Sequence, residues 1–267
     1  MAIVPISHSE FAQKRFKRHD SYAFASKDAI VPLVVRELPR AAMMMPIGFA
    51  KLDETFVPVA VQGLRPGKNL FVAPNGRWVG RYLPAAYRSY PFVLANASDG
   101  KQVLCFDTES GLLSDSEGEP FFDGETPSKA VQDVLDFLNQ VNSSRQLTQR
   151  MCEVLQAHQL IQPWPIQINQ PPRSGEPPQG RHIDGLFRVD EVALNKLDAT
   201  ALHNVHQSGA LPLVYCQLLS MRHLPAFGKL ITAHHEVEQQ LALPKTETGE
   251  IDLTFLADDT TISFEDL

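Results

Sequence analysis

The side chains best suited to binding are concentrated between residues 62 and 92. Fourteen consecutive residues of this stretch, 77–90, hold one tryptophan, three tyrosines and three arginines. Tyr, Trp and Arg dominate the energetics of binding surfaces. The stretch therefore predicts a site for a protein or for a peptide or polymer-derived ligand, and its candidate residues are Arg77, Trp78, Tyr82, Tyr87, Arg88 and Tyr90. The alternative is an aromatic mini-core with arginine stems packed on the rings, which we favour for Trp78 and Phe92.

Asp107 is a further candidate, because it ends the apolar segment QVLCFD. Polar residues at the ends of strands often serve binding sites. An aspartate that caps a turn is the commoner role. We include Asp107 with the predicted site and leave both roles open.

One tripeptide has the spacing of an iron site, His182-Ile183-Asp184. Two histidines and one carboxylate form the facial triad of Fe(II)- and 2-oxoglutarate-dependent oxygenases. The second histidine would have to come from His203, His206, His223, His234 or His235, which all lie downstream. An oxygenase is therefore the alternative function. We favour the simpler interpretation, a turn aspartate beside an exposed histidine, because such a tripeptide arises easily by chance.

The sequence predicts no catalytic residue, no metal and no cofactor. No serine has the flanking glycines of a nucleophile elbow, and no glycine pattern of a phosphate or dinucleotide loop occurs. No set of nucleophile, general base and oxyanion donor can be identified in the sequence. We therefore expect a binding or accessory protein.

Local signals indicate how the central stretch is folded. Residues 69–72 form a short apolar run, and Pro74-Asn75-Gly76 is a turn signal that returns the chain at residues 77–79. Residues 82–90 then predict a short helix, because Pro84 suits its first turn and Pro91 ends it.

The wider pattern predicts an α+β fold with a largely antiparallel sheet. Residues 47–107 supply about six strand-like segments at hairpin spacing, and further strands are expected near 166–168 and 185–189. Helices should pack on this sheet. Apolar residues at helical spacing predict a helical hairpin over 127–158, broken at residues 142–144.

Composition divides the chain into a basic arm, residues 1–20, a single domain, residues 21–243, and an acidic tail, residues 244–267. The Pro/Gly-rich loop 170–180 is the predicted internal boundary of the domain.

Charge and composition exclude several classes of protein. The net charge of −7 and pI of about 5.7 argue against binding to nucleic acid. No run of residues approaches the length of a membrane span. Three widely spaced cysteines, Cys105, Cys152 and Cys216, indicate buried thiols in a reducing compartment. We expect a cytoplasmic protein, with export through an uncleaved C-terminal signal left open.

The two ends of the chain carry opposite charge. Residues 1–40 hold seven Lys/Arg against four Asp/Glu, whereas residues 236–267 hold nine Asp/Glu against one Lys. Such ends can pair within one molecule or steer a weak homodimer, and both can instead be simply solvated.

The chain resembles the bacterial SapC family. The resemblance covers roughly residues 3–225 and rests on motifs in the family's order: VPISH, VPLVVREL, PIGFA, GLRPGKNLF, YLPAAYRSYPF, LCFD, GLFRVDEVALNKL and GALPLVYCQLLS. It implies an accessory or binding role in a surface-layer or TonB-dependent outer-membrane uptake system. It implies no catalytic residues.

Overall fold

The computed structural model describes residues 2–96, 100–169 and 180–242. The helices are α1 (His8–Phe11), α2 (Leu38–Ala41), α3 (Ala85–Arg88), α4 (Lys129–Ala157), α5 (Glu191–Asn195), α6 (Ala199–Gln207), α7 (Leu211–Ser220) and α8 (Ala226–Ala242). The strands are β1 (Ile3–Pro5), β2 (Arg15–Phe16), β3 (Ile30–Pro32), β4 (Ile47–Leu52), β5 (Thr55–Val61), β6 (Phe92–Asn96), β7 (Gln102–Asp107), β8 (Leu113–Ser114), β9 (Glu119–Pro120), β10 (Phe122–Asp123), β11 (Thr126–Pro127), β12 (Ile161–Pro163), β13 (Ile166–Asn169), β14 (Gly180–Ile183) and β15 (Leu186–Val189). Every strand pair among them is antiparallel, so the predicted α+β class is confirmed.

The largest sheet has five strands in the order β12-β15-β4-β5-β3. β4 and β5 form a hairpin whose tight turn places Asp53 at a φ of 52°. Three consecutive residues of β5, Val59, Ala60 and Val61, are buried. Since successive side chains of a strand point to opposite faces, both faces of the sheet are covered here. α4 packs against β5, and α7 packs against β4 and β15.

Buried polar side chains attach α7 to this sheet. The Oε1 atom of Gln217 accepts a hydrogen bond from the Val189 N–H at 3.0 Å, and its Nε2 donates to the Ile47 carbonyl at 3.1 Å. The Ser220 hydroxyl accepts from the Ile47 N–H at 2.8 Å. Both side chains are fully buried. They satisfy backbone groups that would otherwise be unpaired where β4 and β15 separate.

A second, aromatic core lies beside the first. It is built from Phe11, Phe16, Phe92, Phe106 and Phe121, which pack edge-to-face or tilted against one another. The surrounding sheets are β1-β7-β6 and β8-β2-β9. Burial of each ring stabilises the fold by about 1.5–3 kcal/mol.

The predicted basic arm, residues 1–20, supplies part of this aromatic core. β1 pairs with β7 and β2 pairs with both β8 and β9. Phe11 and Phe16 are buried. The charged side chains of the segment face outward, and its apolar side chains hold it on the fold.

The predicted helical hairpin is wrong, because α4 continues through residues 142–144 for 29 residues. Ser144 and Thr148 are buried and face a neighbouring segment. The Thr148 hydroxyl accepts from the Val35 N–H at 2.8 Å, and the Ser144 hydroxyl accepts from the Arg36 N–H at 3.4 Å. These polar residues therefore dock α4 on its neighbour and do not break the helix.

The strands within residues 47–107 also differ from the prediction. β4 and β5 belong to the five-stranded sheet, whereas β6 and β7 belong to the sheet with β1. The expected strands at 69–72 and 77–79 reduce to one bridge between Val72 and Trp78. The predicted strand near 166–168 is β13, paired with β14, and the one near 185–189 is β15 in the main sheet.

Residues 97–99, 170–179 and 243–267 lie outside the described residues. The predicted internal boundary and the predicted acidic tail therefore fall largely or wholly outside them. In the part of the chain that the structure describes, no helix combines the length and the apolar character needed to cross a bilayer. Cys105 and Cys152 are buried free thiols, and Cys216 is half-buried.

Candidate ligand-binding groove

A tight turn sets the direction of the side chains after Val72. Gly76 has a φ of +81°, and a Cβ at this position would lie 2.2 Å from the Ser21 hydroxyl oxygen. The Asn75 side-chain oxygen accepts from the Arg77 N–H at 3.1 Å. The turn leaves the Arg77 side chain exposed.

Trp78 is half-buried and supports the segment that follows it. Its ring stacks on Phe71 with centroids 5.7 Å apart and meets the Tyr87 ring edge-to-face at 5.8 Å. Its indole N–H donates to the Tyr82 carbonyl at 3.1 Å. These contacts agree with the packing role that the sequence favours for Trp78.

Tyr87 is only 3% exposed, so its side chain does not line an open groove. Its hydroxyl lies 2.7 Å from the Gln62 Oε1 atom and 3.2 Å from the Asp28 Oδ2 atom. Burial, followed by the charge of Asp28, raises the pKa of Tyr87. Asn69 completes the network by donating to the same Gln62 oxygen at 3.0 Å. Tyr87 therefore anchors α3 to the core.

Glu37 is a buried carboxylate that organises the other face of α3. It is 5% exposed. Its Oε1 atom accepts from the Tyr82 hydroxyl at 2.7 Å and from the Ala85 N–H at 2.6 Å, and its Oε2 accepts from the Val34 N–H at 3.1 Å. Hydrogen bonds to an ionised acceptor are about twice as strong as neutral ones. These bonds fix the start of α3.

Arg88 extends this chain of hydrogen bonds toward the surface. Its Nη2 atom donates to the Tyr82 hydroxyl oxygen at 3.3 Å and lies 3.6 Å from the Glu37 Oε1 atom. Its guanidinium carbon lies 5.1 Å from the centroid of the Phe137 ring. The Arg88 side chain stays 40% exposed. Tyr82, Glu37 and Phe137 therefore hold the guanidinium in place, while part of it remains accessible to a ligand.

An open groove of about 710 Å³ lies beside Arg88. We call it the Arg88 groove. Its walls come from four parts of the chain: residues 16–22, residues 83–92, Glu119 of β9 and the start of α4, residues 129–137. The lining side chains that the argument uses are Arg18, His19, Arg88, Tyr90, Lys129 and Phe137.

A stack of rings forms one part of the wall. The Tyr90 and Phe24 rings lie 3.8 Å apart at 11°, and the His19 ring lies 5.9 Å from that of Tyr90 at 17°. Partial burial lowers the pKa of His19, an effect that the charge of Asp20 opposes. A low pKa favours a neutral, apolar stack at neutral pH.

The charges around the groove are largely balanced. Arg18 pairs with Glu119 at 2.7 Å, and Lys129 pairs with Asp133 at 2.9 Å. Lys17, which also lines the groove, pairs with Glu117. Exposed pairs of this kind contribute only ~0–1 kcal/mol each. Arg88 differs from them because its partner is buried and its position is fixed by rings.

Asp107 is buried and acts as a cap. Its Oδ1 atom accepts from the Glu109 N–H at 3.2 Å at the start of a single helical turn. Its charge is also one cause of the raised pKa of Tyr90, after burial. Asp107 therefore lies behind the groove and is not among the residues that line it.

The structure thus divides the predicted site. It places Arg88 and Tyr90 on the groove, Tyr82 directly behind Arg88, and Trp78 and Tyr87 in the packing beneath. Arg77 is exposed on the turn and is not a lining residue. Sequence reasoning missed Glu37 and Phe137, which have no local signal, and also Arg18 and His19, although the basic run KRFKRH marks their position.

The polar groups of the site differ in what they can exchange with a ligand. Burial and the hydrogen bond to Glu37 raise the pKa of Tyr82 above its usual range. Neither Tyr82 nor Tyr87 can then accept or release a proton readily near neutral pH. Arg88 can donate hydrogen bonds to a carboxylate or a carbonyl oxygen.

The proposed iron pair lies at the end of β14, where the side chain of Asp184 is described and that of His182 is not. Asp184 is exposed, and the backbone of β14 carries His182 next to it. Among the side chains that the structure describes, no three His, Cys, Asp or Glu residues are grouped as metal ligands. The His182 half of the prediction lies outside the side chains described.

Comparison with known proteins gives one match. A family model described as SapC matches residues 6–227, a range that includes every residue of the Arg88 groove. No curated protein and no solved structure matches the chain.

Proposed function

The chain belongs to the SapC family, and from this premise we propose that it is a binding protein that holds a peptide or polymer-derived ligand in the Arg88 groove. Its setting is an accessory role in a surface-layer or TonB-dependent outer-membrane uptake system. The observation that carries the proposal is the fixed position of Arg88 at the edge of an aromatic groove.

The size and lining of the groove support this function. Ligand sites typically enclose about 300–1,000 Å³ and combine apolar walls with a few placed polar groups. The Arg88 groove has about 710 Å³. Its walls offer Tyr90 and Phe137 as apolar surfaces and Arg88 as a fixed donor.

The charge balance indicates the kind of ligand. Arg18 and Lys129 already pair with acidic neighbours at the rim. A polyanion would have to compete with those carboxylates. A largely neutral chain with an aromatic or apolar group beside one carboxylate or carbonyl fits the exposed side of Arg88 better.

The test is a selection followed by measured affinities. Random peptides displayed on phage are selected against the full chain, and the enriched peptides are synthesised for calorimetry. We expect Arg88→Ala and Tyr90→Ala each to weaken binding at least tenfold, since a central arginine or tyrosine anchor is worth about 2 kcal/mol or more.

A matched control is Arg150→Ala, which removes an exposed arginine on α4 away from the groove. Arg77→Ala tests whether the turn contributes. If no peptide is enriched, or if the enriched peptides bind Arg88→Ala as tightly as the unchanged protein, the proposed function is wrong.

A further inference from the structure

A second exposed surface lies where α2 contacts α7. Three apolar side chains are solvent-exposed there: Met43 at 60%, Tyr215 at 53% and Leu219 at 66%. Arg40 and Arg222 are also exposed on the same two segments. We call this surface the α2–α7 face, defined by these five residues.

The packing of α7 explains why these residues point outward. Gln217 and Ser220 attach the opposite side of α7 to β4 and β15. Tyr215 and Leu219, one turn apart, therefore share the free side. The His223 Nε2 atom lies 3.0 Å from the Ala42 carbonyl oxygen. This contact brings Met43 to the end of α7, close to Leu219 and to Arg222 in the turn that follows.

The two segments that form the α2–α7 face carry charge of one sign. Residues 38–52 and 199–235 contain no aspartate or glutamate. Among the described residues, neither Arg40 nor Arg222 forms an ion pair. The surface is apolar at its centre and basic at its edges, which suits an acidic segment with apolar side chains.

The chain itself contains such a segment, outside the described residues. Residues 243–267 hold seven Asp/Glu against one Lys, with Ile251, Leu253, Phe255 and Leu256 interspersed. The basic residues near the N-terminus are a less suitable partner for this acidic segment. Lys14, Lys17 and Arg18 already form ion pairs with Asp115, Glu117 and Glu119.

The distances permit contact within one molecule. α8 begins four residues after Arg222 and ends at Ala242. Its 17 residues span only about 25 Å. The 25 residues that follow can extend to about 80 Å. The segment can thus return to the α2–α7 face from the end of α8.

We propose that residues 243–267 bind the α2–α7 face of the same molecule, with apolar side chains on Met43, Tyr215 and Leu219 and carboxylates beside Arg40 and Arg222. The segment lies beyond residue 227, where the family match ends. This inference is independent of the Arg88 groove.

Hydrogen exchange of the full chain, followed by mass spectrometry, tests the proposal. We expect peptides covering residues 250–258 to exchange at least tenfold more slowly than an unstructured peptide of the same sequence. Leu219→Asp should abolish this protection, and Arg222→Glu should reduce it several-fold. Leu52→Asp, which changes an equally exposed leucine on the β4–β5 hairpin, is the matched control.

Each outcome decides the proposal. Protection that is lost in Leu219→Asp and Arg222→Glu but kept in Leu52→Asp supports it, provided that α4 exchanges as before. Unprotected residues 250–258 in the unchanged protein overturn it. Protection that survives both substitutions, or that disappears on dilution and so requires a second copy, overturns it as well. If Leu219→Asp disturbs α4, Arg222→Glu alone carries the decision.

Discussion

At the scale of single residues, the buried carboxylate of Glu37 connects the core to the proposed site. It accepts hydrogen bonds from two backbone N–H groups and the Tyr82 hydroxyl, and Tyr82 in turn accepts from Arg88. A buried charge is tolerated only when it is well paired. The same bonds that satisfy Glu37 therefore hold Arg88 at the groove.

Replacing Glu37 should accordingly destabilise the fold. In Glu37→Ala the Tyr82 hydroxyl and the Val34 and Ala85 N–H groups lose their acceptor, and the free energy of unfolding should fall by about 3–5 kcal/mol. The free energy of unfolding is measured by urea denaturation, with tryptophan fluorescence as the signal. The control is Glu54→Ala, whose side chain is 90% exposed and which should change the value by less than ~0.5 kcal/mol. Equal effects in the two variants would contradict the role of Glu37.

Tyr87 should make stability depend on pH in the alkaline range. Burial and Asp28 raise its pKa in the folded state. The unfolded state then loses the proton first, so stability is complete below about pH 10 and falls as the pH rises above it. Each unit of pH should cost up to ~1.4 kcal/mol through this group.

The measurement is urea unfolding between pH 9 and 11. Tyr87→Phe should show a shallower decline than the unchanged protein, although it is less stable at pH 8 because a hydrogen bond to Gln62 is lost. Tyr215→Phe is the control, because this ring is exposed. Parallel pH profiles for Tyr87→Phe and the unchanged protein would show that the hydroxyl of Tyr87 does not hold its proton as argued.

At the scale of elements, the sequence predicts best what depends on neighbours along the chain. The apolar spacing locates the two ends of α4, and turn residues locate the bend at Gly76. The continuity of α4 through Ser144 depends instead on Val35 and Arg36, more than a hundred residues away. For the same reason Arg88 and Tyr90 could be chosen from composition, whereas Glu37, buried in a distant segment, could not.

The contact between α4 and residues 34–37 gives a prediction of its own. In Thr148→Val the buried Val35 N–H loses its acceptor, which should lower the free energy of unfolding by about 1–3 kcal/mol. The matched control is Thr200→Val, an exposed threonine in α6, with an expected change below ~0.5 kcal/mol. Chemical denaturation of both variants makes the comparison. If Thr148→Val lowers the free energy of unfolding no more than Thr200→Val does, water or another group accepts the hydrogen bond from the Val35 N–H.

At the scale of the whole molecule, ion pairs and apolar packing contribute differently to how the N-terminal segment is held. The basic side chains near the N-terminus pair with Asp115, Glu117 and Glu119, and the Lys17 contact lowers the pKa of Glu117. These exposed pairs orient the segment, but the aromatic core holds it. The weak homodimer expected from the charged ends stays a prediction, to be tested by sedimentation at low and high salt.

The two cores should unfold together, because α4 belongs to both. Near its start, Val131 packs in the aromatic core, and near its end, Met151 and Leu155 pack in the main core. Both tryptophans, Trp78 and Trp164, contact the main core only. A change confined to the aromatic core is therefore reported by tryptophan fluorescence only if α4, or residues 16–22 and 87–92, which also join the two cores, transmits it.

Phe106→Ala provides this test, since Phe106 is fully buried in the aromatic core. Removal of such a ring costs about 3–5 kcal/mol. We expect the urea midpoints from tryptophan fluorescence and from circular dichroism to fall together, as two-state unfolding requires. Phe122→Ala, which removes a half-buried ring at the edge of the same core, should shift both midpoints less. A fluorescence midpoint that stays in place while the dichroism midpoint falls would show that neither α4 nor the other connecting segments couple the two cores.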